Sequence, residues 1–255
     1  MKKKEVNITE RLKLLDAIRG FTLINMILFH TLYDVTMFTT KGLEWYEDTP
    51  GYIWQQAICW TFIFLSGMCR SMGKKHLKRG LIVSGCGIVI TLVTLIFMPE
   101  ERIFFGILTF IGAAMLFVIP FEKLFRRMNP YLGMGISAVC FFLTKDISSH
   151  ALGFEGIRLL EIPDFFYRNA VTAFLGFPPR GFFSGDYFPF FPWIFLFLTG
   201  YFFWLSFGDK IKKWKIMKTD LAGLEFLGRH SLLIYMLHQP VCFGLVYFCF
   251  TYIRR

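Results

Sequence analysis

Long apolar stretches separated by short polar segments recur along the whole chain. Seven of these stretches are long enough, or nearly so, to cross about 30 Å of hydrocarbon as a helix. The segment 146–187 is too apolar for a solvated linker, so we expect interfacial helices or a re-entrant hairpin there, broken at Pro178 and Pro179. The pattern predicts an all-α, polytopic transmembrane helical bundle with about seven spans, the fifth of them short. The predicted spans run over 13–39, 51–69, 80–98, 103–121, 131–145, 188–207 and 231–253.

Composition supports a membrane protein. Of the 255 residues, 55% are hydrophobic and 19% are aromatic, including 33 Phe, and the mean hydropathy is +0.51. A soluble domain of this size has no use for so much apolar surface. We therefore predict one integral membrane domain, 1–255, in contact with a lipid bilayer. The basic start is not followed by a short apolar region with a small-residue cleavage site, so no cleavable signal peptide is expected.

The net charge of +10 would allow a nucleic-acid partner, but the positions of the basic residues argue against one. Lys and Arg gather in short loops on alternate sides of the predicted spans, which is the pattern that sets membrane orientation. We therefore expect no nucleic acid as a partner and a cytoplasmic N-terminus. The basic groups on the predicted cytoplasmic side are 2–4 with Arg11 and Lys13; Arg70, Lys74, Lys75, Lys78 and Arg79; Lys123, Arg126 and Arg127; and Lys210, Lys212, Lys213, Lys215 and Lys218, whereas Arg254 and Arg255 fall on the other side.

The six cysteines lie within or beside apolar stretches and show no CxxC or Cys/His ligand spacing. Buried free thiols are the favoured interpretation, and no metal site is predicted.

Four ionisable residues of the first span, Asp16, Arg19, His30 and Asp34, share one face of a helix. At about 100° per residue, Asp16 and Asp34 point the same way, and the other two lie within roughly 60° of them. Charged groups in a membrane span are expensive, so they normally face a bundle interior and mark a pathway or a reactive site. The stripe favours a membrane enzyme or transporter over a passive anchor.

His30 and Asp34 are spaced i, i+4, so their side chains can touch on the helix surface. A carboxylate on one imidazole nitrogen leaves the other nitrogen as a proton acceptor, as in acyl-transfer dyads. A His–Asp pair that caps a wet helix end is the open alternative. Arg19 lies eleven residues before His30, roughly 16 Å along the axis, and this separation suits a long amphipathic molecule threaded from the cytosol. Between them the same stripe carries Leu23, Met26 and Ile27, which we interpret as an apolar channel wall.

The stretch LDAIRGFTLINMILFH resembles the first span of the heparan-α-glucosaminide N-acetyltransferase catalytic-domain family. It is also similar to the Arg-x10-His signature of the wider transmembrane acyltransferases, including the acyltransferase-3 group, with Arg19 and His30 in those places. The resemblance continues in FIFLSGMCRSM, KRG, GDYFPFFPW and LGRHSLLIYMLHQP, in the expected order.

This resemblance implies transfer of an acyl group, usually acetyl, from cytosolic acyl-CoA to a sugar on the far side of the membrane. Acetyl-CoA would be the donor substrate, and a glycan or amino sugar the acceptor. A bacterial-type member would be a multi-pass protein of the bacterial cytoplasmic membrane. Transfer to nitrogen or oxygen, and the oligomeric state, are left open.

The resemblance also implies roles for residues of the first span. Arg19, beside Asp16, would bind the donor, and His30, paired with Asp34, would take the proton from the acceptor amine or hydroxyl. The lysosomal enzymes carry an Asn at the position of His30 and place their proposed catalytic His in the following loop. That loop here, TTKGLEWYEDTPG, contains no His. His30 is therefore the candidate base, and an acetyl-histidine intermediate is not assumed.

Weaker candidates lie in the other matching blocks. Arg70 and Arg79 could meet the phosphates of coenzyme A, with ordinary topology-setting charge as the alternative. Tyr235 and His238 are assigned to the donor site, with a satisfied structural His as the alternative. Two further residues, Asp186 and Tyr187, could bind the acceptor, with a helix N-cap as the alternative for Asp186.

Two rival functions use the same features. A proton-coupled transporter would use the charged stripe as a relay or a substrate path, but no internal repeat is evident. A membrane scaffold would tolerate neutral replacements of Arg19 and His30.

Overall fold

A computed structural model describes residues 12–39 and 41–253. The predicted cytoplasmic charges at 2–4 and Arg11, and the terminal Arg254 and Arg255, lie outside the described residues. Most of the described chain is helical. Its elements are α1 (Lys13–Thr36), α2 (Glu44–Glu47), α3 (Thr49–Met72), α4 (His76–Phe97), α5 (Ile107–Arg127), α6 (Pro130–Leu143), β1 (Ala151–Phe154), β2 (Ile157–Glu161), α7 (Ala170–Leu175), α8 (Phe190–Ile211), α9 (Ala222–Arg229) and α10 (Ser231–Phe248), which continues as a π-helical turn over Cys249–Ile253.

Each of the seven predicted hydrophobic segments coincides with a helix. Among the described residues, four helices are long and apolar enough to cross a membrane: His76–Phe97, Ile107–Arg127, Phe190–Ile211 and Ser231–Ile253. Helix α6 is apolar but has only 14 residues. Helices α1 and α3 have 24 residues each, about 36 Å, but they carry more polar side chains. The total of about seven spans and the cytoplasmic N-terminus stay predictions.

The segment between α6 and α8 contains a β-hairpin that the all-α prediction missed. Strands β1 and β2 pair antiparallel, with Phe154 opposite Ile157. The two turn residues, Glu155 and Gly156, have φ of 49° and 88°, as in a type I′ turn. The carboxylate of Asp146 accepts both turn N–H groups, at 3.1 and 2.7 Å. The fold class is therefore helical with one small hairpin.

The chain divides into two compact units. The split unit combines Met1–Tyr46 with Asp209–Arg255, and the continuous unit is Glu47–Gly208. The prediction of one domain over 1–255 stays a prediction.

In the split unit, α9 runs antiparallel to α1, and α10 runs parallel to it. A Cβ on Gly20 would lie 2.0 Å from the carbonyl oxygen of Leu224, and one on Gly228 would lie 1.9 Å from that of Asp16. The two helices can approach this closely only because both crossing points lack side chains. The α9–α10 connection then returns the chain alongside α1, where Phe250 stacks on Phe38 with centroids 5.0 Å apart.

The continuous unit uses the same packing device between α3 and α8. A Cβ on Gly67 would lie 1.9 Å from the carbonyl oxygen of Phe197, and one on Gly200 would lie 2.1 Å from that of Phe64. Helix α8 contains one residue with extended backbone, Phe191. Regular helix begins after this residue, at Pro192.

Candidate active site

The stripe predicted on the first span lies on one unbroken helix. Within α1, Asp16 is buried at 8% exposure and Asp34 at 0%, and Arg19 and His30 are half-buried. The stripe therefore faces protein rather than the periphery. Leu23 and Met26, between the two ends, are also buried, and their role as a channel wall stays a prediction.

The structure brings His30 next to His238, with ring centroids 5.0 Å apart. The Nδ1 atom of His238 lies 2.6 Å from the carbonyl oxygen of Tyr235. A carbonyl oxygen can only accept, so Nδ1 carries the proton, and Nε2 of the neutral ring holds a lone pair. His30, predicted as the base, therefore meets His238, which was assigned to the donor site from a distant part of the sequence. The donor-binding role of His238 and Tyr235 stays a prediction.

Asp34 has a partner that the sequence analysis did not name. The side-chain amide of Gln239 donates to Oδ1 of Asp34 at 2.7 Å. Within the described part of the chain, this is the hydrogen bond that the carboxylate makes, and the predicted His30–Asp34 bond stays a prediction. Complete burial of Asp34 disfavours the alternative in which the pair caps a solvated helix end.

We call His30, Asp34, His238 and Gln239 the polar cluster. Three of its buried atoms lack a hydrogen-bond partner among the described residues: Oδ2 of Asp34, Nε2 of His238 and Oε1 of Gln239. Each buried unsatisfied polar group generally costs about 1–3 kcal/mol, and such groups are rare in native proteins. All three atoms are acceptors, so the cluster is suited to a molecule that brings N–H or O–H groups.

The other end of the stripe holds an ion pair. Arg19 donates to Oδ1 of Asp16 at 3.2 Å, and the Arg19 side chain is 20% exposed. The backbone of α9 packs directly on this turn of α1, at Gly20 and Gly228. The arrangement fixes the position of the guanidinium, which could meet an anionic group of a bound donor.

Arg70 is buried in the continuous unit and is paired inside the protein. Its Nη2 lies 3.0 Å from Oε2 of Glu122, and its Nε donates to the carbonyl oxygen of Met115 at 3.4 Å. Arg126 binds the other oxygen of Glu122 at 2.9 Å. These contacts favour a structural role over the predicted contact with coenzyme A. Arg79, by contrast, is exposed, which is compatible with either alternative.

Asp186 caps a helix, although not the one that follows it in sequence. Its Oδ2 accepts the N–H of Ile107, the first residue of α5, at 3.2 Å. Burial raises the pKa of Asp186 to about 6, and the bond from Ile107 partly offsets this shift. The hydroxyl of Tyr187 donates to the carbonyl oxygen of Ala173 at 2.5 Å. Acceptor binding by these two residues stays a prediction.

Sequence reasoning missed Gln239 and Glu122. A weak signal for Gln239 was available, because it follows His238 in the polar interruption HQP of an apolar span. No such signal was available for Glu122, because a Glu at the charged end of a predicted span is normally interpreted as a solvated residue. No group of three or more His, Cys, Asp or Glu that could hold a metal ion occurs among the described residues, and the expectation of a metal-free protein stays a prediction.

Comparison with known proteins identifies a family. The family model "Heparan-alpha-glucosaminide N-acetyltransferase, catalytic" matches residues 11–240. No curated protein and no solved structure matches the chain significantly. The matched range contains the whole polar cluster and the Asp16–Arg19 pair, and it covers nearly the entire chain. The chain therefore belongs to the heparan-alpha-glucosaminide N-acetyltransferase catalytic family, whose members are membrane acetyltransferases with acetyl-CoA as donor.

Proposed function

We propose that this protein transfers an acyl group, most simply acetyl, from cytosolic acyl-CoA to an extracytoplasmic amino sugar or glycan. The observation that carries the proposal is the polar cluster, which combines two adjacent imidazoles with three open hydrogen-bond acceptors. An attacking amine or hydroxyl must lose a proton as it bonds to the thioester carbonyl, and this cluster can accept one. Family membership supports the reaction class.

In this mechanism, His30 is the general base. The acceptor nitrogen or oxygen attacks the thioester carbonyl, its proton moves to His30, and the carbon–sulfur bond breaks to release coenzyme A as the thiolate, which is then protonated. His238 supplies a second lone pair beside His30, so the proton can be shared between two rings. Asp34 and Gln239 orient the acceptor through their open oxygens.

Arg19 binds the donor in this proposal. Its guanidinium is 20% exposed and is held by Asp16, so it presents positive charge for the phosphates or the pantetheine amide of coenzyme A. About 16 Å of helix separates it from His30, which is a span suited to an extended pantetheine arm. The remaining elements of the proposal are about seven spans, a cytoplasmic N-terminus and a location in the bacterial cytoplasmic membrane.

Replacement of His30 by Ala tests the proposal. We expect the purified full-length His30→Ala protein to lose acetyl transfer from acetyl-CoA to glucosamine by about 10³-fold, because general-base catalysis typically supplies 10²–10⁴-fold. Its thermal unfolding in detergent should stay close to that of the wild type. Release of free coenzyme A and mass-spectrometric detection of N-acetylglucosamine give two independent readouts.

His230→Ala is the matched control, because His230 is an exposed imidazole of the same unit that lies outside the polar cluster. It should retain full activity. Normal transfer by His30→Ala would contradict the assignment of the base. Movement of a sugar into vesicles without thioester cleavage would favour the transporter instead.

A further inference from the structure

A polar cleft lies within the continuous unit, and none of the residues that line it has a role in the proposed mechanism. Its volume is about 550 Å³, within the range of small-molecule sites. Four segments build it: the start of α3, the turn that follows α6, the β1–β2 hairpin and the approach to α8. A site assembled from four separate segments of one unit has a defined shape, which a bound molecule could recognise.

The chemistry of the cleft alternates between aromatic rings and polar groups. Tyr52 and Tyr187 contribute aromatic rings, and Gln56, Lys145 and Glu155 contribute an amide, an ammonium and a carboxylate. Flat apolar faces next to closely spaced donors and acceptors suit a sugar ring, which has C–H faces and an equator of hydroxyls that both donate and accept. A lipid tail would offer these polar groups no hydrogen bonds and would remove their contact with water.

The charges of the cleft sum to zero. Lys145 and Arg158 are balanced by Asp146 and Glu155. The Lys145 ammonium lies 3.2 Å from Oε1 of Glu155, and both turn amides are bound by Asp146. A nucleotide or another polyanion would find no excess of positive charge here. An uncharged sugar or an amino sugar fits this balance.

Glu155 is held in an unfavourable backbone conformation. Its φ is 49°, a left-handed value at which Gly, Asn or Asp is normally found. Its carboxylate accepts from the hydroxyl of Tyr52, 2.7 Å from each oxygen, and it pairs with Lys145. Strained residues of this kind concentrate at binding sites, where the surroundings over-determine their position. The turn geometry does not favour Glu at this position, so the contacts of the Glu155 side chain account for its presence.

From this geometry, we infer that the cleft is a saccharide-binding site for on the order of one or two neutral or amino-bearing pyranose units, with Glu155, Tyr52 and Lys145 as its polar anchor. Saccharide binding depends on the cleft alone and does not rest on the proposed function.

Calorimetric titration of the purified full-length protein tests the inference. The probes are the β-1,4-linked disaccharide of glucosamine, the corresponding disaccharide of glucose, and ADP as a polyanion. We expect at least one disaccharide to bind and ADP not to bind to the cleft. In Glu155→Asn, disaccharide affinity should fall by about tenfold or more, because a charged hydrogen-bonding group is lost. Asn suits the backbone of the turn, because it tolerates the left-handed conformation.

Glu161→Gln is the matched control, since Glu161 is an exposed carboxylate on the same hairpin and does not line the cleft. It should bind the disaccharide as the wild type does. Failure of both disaccharides to bind, or unchanged affinity in Glu155→Asn, would overturn the inference. ADP binding that Glu155→Asn alters would overturn it too. Activity of His30→Ala would defeat the proposed function but leave disaccharide binding standing, so the two failures are distinguishable.

Discussion

Each unit buries a charged side chain, and the two side chains have different partners. In the continuous unit, Arg70 is enclosed with a carboxylate of opposite charge, Glu122, which also pairs with Arg126. In the split unit, Asp34 is enclosed with the neutral amide of Gln239, next to two imidazoles, and three acceptor atoms have no partner among the described residues. An opposite charge compensates a buried one, and removal of either partner is costly because it leaves a buried charge uncompensated. Buried acceptors without a hydrogen-bond partner weaken a fold, but they can accept hydrogen bonds from a substrate. Nη1 of Arg70 also lacks a hydrogen-bond partner among the described residues, so the two groups differ chiefly in the opposite charge that accompanies Arg70.

The largest effect is expected from removal of the carboxylate that pairs with Arg70. Glu122→Ala should lower the free energy of unfolding by about 3–5 kcal/mol, because it leaves the Arg70 guanidinium buried without its carboxylate. Denaturant unfolding in detergent micelles measures this. The double variant Arg70→Met with Glu122→Leu removes both charges and should unfold close to the wild type. Unchanged stability in Glu122→Ala would show that the buried pair contributes nothing.

A smaller effect, on activity rather than stability, is expected from replacement of Asp34 in the polar cluster. Asp34→Asn keeps the shape of the side chain but replaces an open acceptor by a donor. We expect acetyl transfer to fall by about 100-fold, with a melting temperature Tm no lower than that of the wild type. Asp209→Asn is the control, because that carboxylate is almost fully exposed and pairs with Lys212. Full activity in Asp34→Asn would remove the distinction between the two buried groups.

The smallest effect concerns Asp186, a half-buried carboxyl whose partner is a neutral backbone N–H. Burial raises its pKa from 3.8 to about 6, so the folded state favours the neutral acid. Its contribution to stability is present below about pH 4 and is lost as the pH rises through about 6. Asp186→Asn imitates the neutral form at every pH. The wild type should therefore lose Tm relative to this variant between about pH 4 and pH 6, as followed by thermal unfolding across that range. A difference in Tm that does not vary with pH would contradict the shift.

Local sequence patterns predicted the helices well, because apolar runs of this length in a lipid-embedded chain have few alternatives to helix. All seven predicted segments are helical. The hairpin escaped prediction because its strands are only four and five residues long and its turn uses Glu-Gly in place of the usual Asn-Gly or Asp-Gly.

The sequence by itself determined that α1 places Asp16, Arg19, His30 and Asp34 on one face, because helical periodicity is a local property. The sequence also contains, in the expected order, the blocks that resemble the family. Only the tertiary structure decided what that face meets. Asp34 and Gln239 are 205 residues apart, and no local spacing specifies such a contact. The contact depends on glycines that allow α9 to pack against α1 and return α10 alongside it. The tertiary structure likewise paired Arg70 with Glu122 and left the acceptors beside His30 open, and this difference separates the structural charges from the candidate reactive ones.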